Sequence, residues 1–177
     1  MQLFSGKKCK TNKDLIEAII LEHYNQYYRL AFSYTHNEAD ALDIVQNGAY
    51  KAIRSADSLK EPEYAATWIY RIMLNECFSF AKKPRFVSYE KMLEENGIEL
   101  SFAEDKYENT DLKKGIESLA PKDRAVIILK YFEDKTFEEI ADILNENSNT
   151  IKSRLYRCLK KLRDYLSYEE SQNVCNQ

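Results

Sequence analysis

Apolar side chains recur every three or four positions through most of the chain, and no stretch shows sustained strand-like alternation. Thr11 to Asp14 reads as a capping box with Asp in the acidic position. Behind it Ile16, Ile19, Ile20, Tyr24, Tyr27, Ala31 and Tyr34 follow one helical stripe. Thr35-His36-Asn37 breaks that stripe, with Asn37 as N-cap and Asp40 in the first turn. The next helix runs to about Arg54, with Leu42, Val45, Ala49 and Ile53 apolar and Gly48 costing about 1 kcal/mol in helix propensity. After a polar loop, Pro62 opens a helix carrying Ala65, Trp68, Ile69, Ile72 and Met73.

Periodicity returns near Asp111 with Leu112, Ile116 and Leu119, and Ala120-Pro121-Lys122-Asp123 interrupts it. Ala125 to Phe132 is apolar enough for a buried strand, but no second strand-like segment exists to pair with it. Thr136 to Glu139 is a second capping box, opening a short helix with Ile140, Ile143 and Leu144. Asn145 suits a left-handed C-cap. A long helix starts near Ser148 with Ile151, Leu155, Leu159, Leu162 and Leu166 inward. A short helix, a three- to four-residue turn and a longer helix make a helix-turn-helix candidate.

These patterns predict an all-α protein of two small helical domains, residues 14–83 and 111–167. Residues 84–110 form a flexible acidic linker, and residues 1–13 and 168–177 are tails. The counts of 4 glycines and 3 prolines fit helices with short connections. Net charge is −3, which excludes a uniformly basic nucleic-acid binder. From Ser88 to Asp111 eight acids face two lysines, while Thr150 to Arg163 holds six bases and no acid. One local basic stripe in an acidic protein is the footprint of a phosphate-facing surface. A merely solvated basic face is the bland alternative, and the absence of nearby acids in the sequence argues against it.

No nucleotide-binding, zinc-protease or serine-hydrolase motif is present, and the two histidines stand apart from any ligand cluster. No catalysis, cofactor or metal is expected. Cys9, Cys77, Cys158 and Cys175 are scattered without a CxxC pair, and Cys77 and Cys158 fall on apolar faces as small hydrophobes. There is neither a signal peptide nor an apolar run of about 18 residues. A soluble, cytoplasmic protein without membrane insertion is the expectation.

The stretches Leu119–Phe132, Phe137–Leu144 and Asn149–Arg157 together resemble region 4 of the sigma-70 family of RNA polymerase sigma factors. Tyr28–Tyr34 with Ala39–Gln46 resembles regions 2.1 and 2.2, and Trp68–Asn75 resembles region 2.4. Both halves stand in order, with no region 1.1 and no folded region 3 between them. That architecture is similar to the extracytoplasmic-function (ECF) subfamily over roughly residues 14–166. Asn37–Gln46 and Glu146–Lys152 further resemble members from low-GC Gram-positive bacteria that are held by membrane-anchored anti-sigma factors.

The resemblance implies roles by position. Asp40, Asp43 and Gln46 would meet the β′ clamp helices of core polymerase, with the β flap as a further contact. Ser58, Lys60, Trp68, Arg71 and Asn75 would engage the −10 element. Trp68, Arg71 and Asn75 share a helix face, where an aromatic, a cation and an amide can stack on and hydrogen-bond an extruded base. Trp68 can equally be a core residue, and Asn75 an amide satisfied within its helix. Ser148, Asn149, Thr150, Lys152, Ser153, Arg154, Arg157 and Lys160 would contact the −35 element from the recognition helix.

The implied partners are core polymerase, promoter DNA and an anti-sigma factor anchored in the membrane, in an envelope-stress response. The alternative is a stand-alone helix-turn-helix regulator, which would leave the Asp40–Gln46 and Trp68–Asn75 helices without a task. Three positions depart from the family pattern. Asn47-Gly48 replaces an acid-hydroxyl pair, Ser79 stands where Asp is common, and Glu146 occupies a turn position that is usually apolar.

Overall fold

A computed structural model describes residues 11–82 and 110–175, with side chains described from 111 and up to 168 in the second segment. Nearly all of the expected linker lies outside the described residues. The first segment holds α1 (Asn12–Glu22), α2 (Tyr24–Thr35), α3 (Glu38–Arg54) and α4 (Ala65–Lys82). The second holds α5 (Thr110–Glu117), α6 (Pro121–Tyr131), α7 (Phe137–Leu144) and α8 (Ser148–Cys175). Among the described residues there is no strand.

The caps read from sequence are present. The Thr11 hydroxyl accepts from the Asp14 N–H, and the Thr11 N–H donates to the Asp14 carboxylate, both at 3.1 Å. Asn37 Oδ1 accepts from the Asp40 N–H at 3.0 Å. Thr136 and Glu139 form the second capping box. His36 and Asn145 end their helices in the left-handed region, at φ 51° and 52°.

Four expectations are corrected. The first stripe is two helices, because His23 leaves the helical conformation (φ −102°, ψ 14°) and turns the chain between α1 and α2. Tyr24, at that turn, is exposed rather than apolar-packed. The buried line of α3 is Ala41, Ile44, Val45, Gly48 and Ala52, with Leu42, Ala49 and Ile53 flanking it. Small residues occupy that line because α3 packs tightly between α2 and α4. At Gly48 a Cβ would overlap the Met73 thioether, so the glycine that weakens the helix also admits its neighbour. Residues 168 onward, expected as a tail, continue α8 to Cys175.

The strand-like run resolves through packing. Ala125, Val126, Ile127, Ile128 and Leu129 are all buried, although they occupy successive positions of α6. Helix α6 lies between α8 on one side and α4 on the other, so its middle stretch 125–129 is covered on every side and apolar throughout. The buried residues of both segments consequently form one connected cluster, with Cys77 in the first half and Cys158 in the second.

Polar contacts reinforce the seam between the halves. The Tyr34 hydroxyl donates to the Pro121 carbonyl at 2.8 Å, and Arg124 Nη1 donates to the Ser33 carbonyl at 3.1 Å. The Glu133 side chain is 2% exposed and accepts from Arg29 at 3.4 Å and from the Tyr70 hydroxyl at 3.2 Å. A carboxylate that deep requires such partners.

Candidate nucleic-acid and polymerase interfaces

The loop between α3 and α4 winds through two 3₁₀ turns, Ala56–Ser58 and Pro62–Tyr64. Buried Ala56 and Leu59 anchor it, which leaves Ser58 and Lys60 exposed on either side of Leu59. The Ser58 hydroxyl donates to the Ser55 carbonyl at 2.6 Å. Ser58, Lys60, Trp68 and Arg71 converge on a concavity of about 350 Å³, to which Asp142 of α7 also contributes. Trp68, expected either in the core or at the −10 element, is half-buried against the core and lines this concavity. Asn75 is exposed one turn beyond Arg71 and borders the adjoining cleft toward Lys122 and Asn145. The Ser79 hydroxyl donates to the Asn75 carbonyl at 2.8 Å.

Arg71 is engaged within the chain. Its Nη2 donates to the Asp142 carbonyl at 2.6 Å and its Nε to the Ile143 carbonyl at 3.4 Å. Those carbonyls belong to the last turn of α7, which carries the negative end of the helix dipole, and the Asp142 carbonyl also accepts from the Asn145 N–H at 3.3 Å.

On α3, Asp43 and Gln46 are exposed, while Asp40 is half-buried beside its cap. Tyr50, 61% exposed, extends the Asp43–Gln46 line by one turn. Sequence reasoning missed it, although its place off the apolar stripe was visible. Lys51 pairs with Glu76 at 2.6 Å and ties this helix to α4.

On α8, Asn149, Thr150, Ser153, Arg157 and Lys160 are exposed. The Asn149 N–H donates to Asn147 Oδ1 at 2.8 Å, which caps the helix start. The half-buried Ser148 hydroxyl donates to Glu138 at 3.3 Å, and Lys152 Nζ lies 5.5 Å from the centre of the Phe137 ring.

Arg154 stands apart, and here the expectation of unpartnered cations is corrected. Its Nη1 donates to Asp123 Oδ1 at 2.7 Å and its Nη2 to Glu146 Oε2 at 2.9 Å. Asp123 is only 4% exposed, and Arg157 at 3.7 Å and Lys161 at 3.8 Å also face its carboxylate. The acids that neutralise this stripe come from α6 and from the turn, not from α8 itself, so charge counting along α8 could not find them.

Glu146, the odd residue of the turn, bridges Arg154 and Lys122. Partial burial works against its ionised form, but the Lys122 and Arg154 hydrogen bonds and charges outweigh that and hold its carboxyl below the usual range. The Glu146 backbone N–H donates to the Ala141 carbonyl at 3.0 Å, so the turn closes in the ordinary helix-ending manner.

Asn12 was also missed. Its side-chain amide donates to the carbonyls of Leu59 at 2.9 Å and Ala56 at 3.3 Å, across to the α3–α4 loop.

Comparison with known proteins accounts for both halves. The sigma-70 region 2 family matches residues 19–86, and the sigma-70 region 4 family matches residues 110–162. The RNA polymerase sigma factor SigV of Bacillus subtilis (strain 168) is 40% identical over 166 residues, covering 93% of this chain and 98% of that protein. The ECF RNA polymerase sigma factor SigW of the same organism is 28% identical over 171 residues, covering 89% and 91%. Two solved structures share the fold. The sigma factor RpoE in complex with the anti-sigma factor NepR from Bartonella quintana has a TM-score of 0.63 at 24% identity, over 85% of this chain and 96% of that one. CnrH in complex with the cytosolic domain of CnrY has a TM-score of 0.67 at 20% identity, over 90% and 91%.

Proposed function

Since the chain belongs to the sigma-70 family of RNA polymerase sigma factors, in its extracytoplasmic-function group, we propose that its exposed faces divide the work of promoter recognition. Sigma factors direct core polymerase to promoters and are not themselves enzymes. That membership leaves no place for a stand-alone regulator. Asp43 and Gln46, with Asp40 behind them and Tyr50 one turn on, dock on the β′ clamp helices. Ser58, Lys60, Trp68, Arg71 and Asn75 take the −10 element. Ser148, Asn149, Thr150 and Ser153 lie where a recognition helix meets base edges of the −35 element, and Lys152, Arg157 and Lys160 meet phosphates.

Arg154 leaves this list of DNA contacts, because two carboxylates already hold it, and it fixes the recognition helix against α6 instead. Arg71 is released from the α7 carbonyls when it turns to DNA, so the two halves move apart during promoter binding. A peptide partner that clamps the seam between the halves would prevent that movement. An anti-sigma factor with its own membrane anchor fits this role, and the envelope stress that removes it would be the inducing signal. No described helix is long and apolar enough to cross a membrane.

The observation that carries the reading is the convergence of Ser58 and Lys60 from a loop with Trp68 and Arg71 from α4 on one concavity. Run-off transcription from a genomic fragment library, with and without core polymerase, tests it. Promoter-specific transcripts that need both proteins are expected, and tight operator binding without polymerase would overturn it.

A further inference from the structure

Ser58 and Lys60 can discriminate between bases only if the loop holds them at a fixed place relative to Trp68 and Arg71. A displacement on the order of 1 Å already degrades such a constellation. Within the loop, successive 3₁₀ bonds run from the Ser58 N–H to the Ser55 carbonyl at 2.9 Å and from the Leu59 N–H to the Ala56 carbonyl at 3.1 Å. The chain then leaves the turn in an extended conformation at Leu59 (φ −72°, ψ 105°). At that exit the Leu59 carbonyl accepts from Asn12 at 2.9 Å, and the same amide group reaches back to the Ala56 carbonyl at 3.3 Å. One NH₂ group therefore spans both ends of the turn, with two donors for two acceptors.

Asn12 is itself held in place. It is the first residue of α1, the Thr11–Asp14 capping box fixes that first turn, and Ile16, one turn on, is fully buried. The pin thus runs from a rigid helix start to the point where Ser58 and Lys60 diverge. Apart from these two hydrogen bonds, Asn12 has no task that its helix position requires, since at the first position of a helix an acid serves at least as well.

We propose that Asn12 is a positioning residue for −10 recognition: its amide pins the Ala56–Leu59 turn and thereby sets which bases Ser58 and Lys60 accept. The proposal rests on the assignment of that loop to the −10 element. It concerns a residue 44 to 47 positions away in sequence, outside every segment that carried the family resemblance.

The informative substitution is Asn12→Asp. It keeps the shape, suits the helix start, removes both donors and sets a carboxylate against two carbonyl oxygens. Full-length protein is reconstituted with core polymerase on a promoter identified by run-off transcription. Abortive initiation is then measured across single −10 and single −35 substitutions. Asn12→Asp and Asn12→Ala are expected to lower discrimination among −10 variants by about three- to tenfold, roughly the 1 kcal/mol of a hydrogen bond. The ranking of −35 variants and the affinity for core polymerase stay as in the wild type. An unchanged −10 ranking in both Asn12 variants overturns the proposal, and so does an equal loss at −10 and −35, which would mark a general loss of stability. Ser58→Ala and Lys60→Ala, run in parallel, separate the two ideas. If they too leave the −10 ranking unchanged, the assignment of the loop fails, and Asn12 falls with it.

Discussion

Arg154 of α8 donates to the buried carboxylate of Asp123, in the first turn of α6, at 2.7 Å. This contact and the Glu146 bridge cross-brace the three helices of the helix-turn-helix unit. Removing Arg154 leaves Arg157 and Lys161 beside Asp123 and Lys122 on Glu146, so the cost is that of the lost charge-assisted hydrogen bonds, about 1.5–3 kcal/mol. Arg154→Gln should lower stability by that amount in denaturant unfolding, yet leave the salt dependence of promoter binding as it was. Lys160→Gln should do the opposite, with no loss of stability and a salt slope smaller by about one. If Arg154→Gln reduces the slope as Lys160→Gln does, Arg154 is a phosphate contact after all.

The same brace has a pH signature. The Glu146 carboxyl is held low by Lys122 and Arg154 against its burial, and the Glu139 carboxyl is held low first by the Thr136 N–H. A folded-state pKa below the ordinary value of 4.5 means that each contributes stability above about pH 4.5. That contribution is lost as pH falls through the folded value. Stability should therefore decline below about pH 4.5, and Glu146→Gln should flatten the decline while lowering stability at neutral pH. Urea titrations of both proteins between pH 7 and pH 3 check this, and parallel profiles would contradict it.

Tyr50 tests the proposed polymerase face where the charged residues cannot. It is exposed, aromatic and aligned with Asp43 and Gln46, the composition of an interface anchor. Tyr50→Ala should weaken binding to core polymerase by about 1–2 kcal/mol, and Asp43→Arg should do at least as much. The melting temperature should not move in either variant. Fluorescence anisotropy against labelled core polymerase is the measurement, and wild-type affinity in both would remove α3 from the interface.

Glu133 reports on the seam between the halves. Arg29 and Tyr70, across the seam, face its carboxylate. Glu133→Lys would set a cation beside Arg29 and should open the seam, raising the radius of gyration in small-angle scattering while circular dichroism stays helical. An unchanged scattering profile would show that the buried apolar contacts alone hold the halves together.

Local grammar was readable from the sequence, and distant pairing was not. Thr11–Asp14, Asn37–Asp40 and Thr136–Glu139 each span three residues, so their hydrogen bonds follow from neighbours in sequence. His23 carries no such signature: neither Gly, Pro nor a side-chain cap marks the α1–α2 break. The α6 run was ambiguous until its two-sided burial was seen, because helix and strand both bury a continuous apolar segment. Asp123–Arg154 spans 31 residues and Arg71–Asp142 spans 71, and no periodicity relates such positions. The resemblance proposes the faces, and contacts distant in sequence decide that Arg71 and Arg154 are already held within the chain.

Cys77 and Cys158 lie fully buried, one in each half, and burial pushes both thiols above their ordinary range. A thiol that is neither ionised nor reachable reacts only when its surroundings open. Each half thus carries its own internal clock. Exposure to an alkylating reagent, followed by peptide mass spectrometry, would time the opening of α4 at Cys77 and of α8 at Cys158 in a single sample. If the shared α4–α6 packing makes the protein unfold as one body, the two clocks run together. If the halves unfold separately, Cys158 and Cys77 are modified at different rates, and the difference measures how strongly one domain depends on the other.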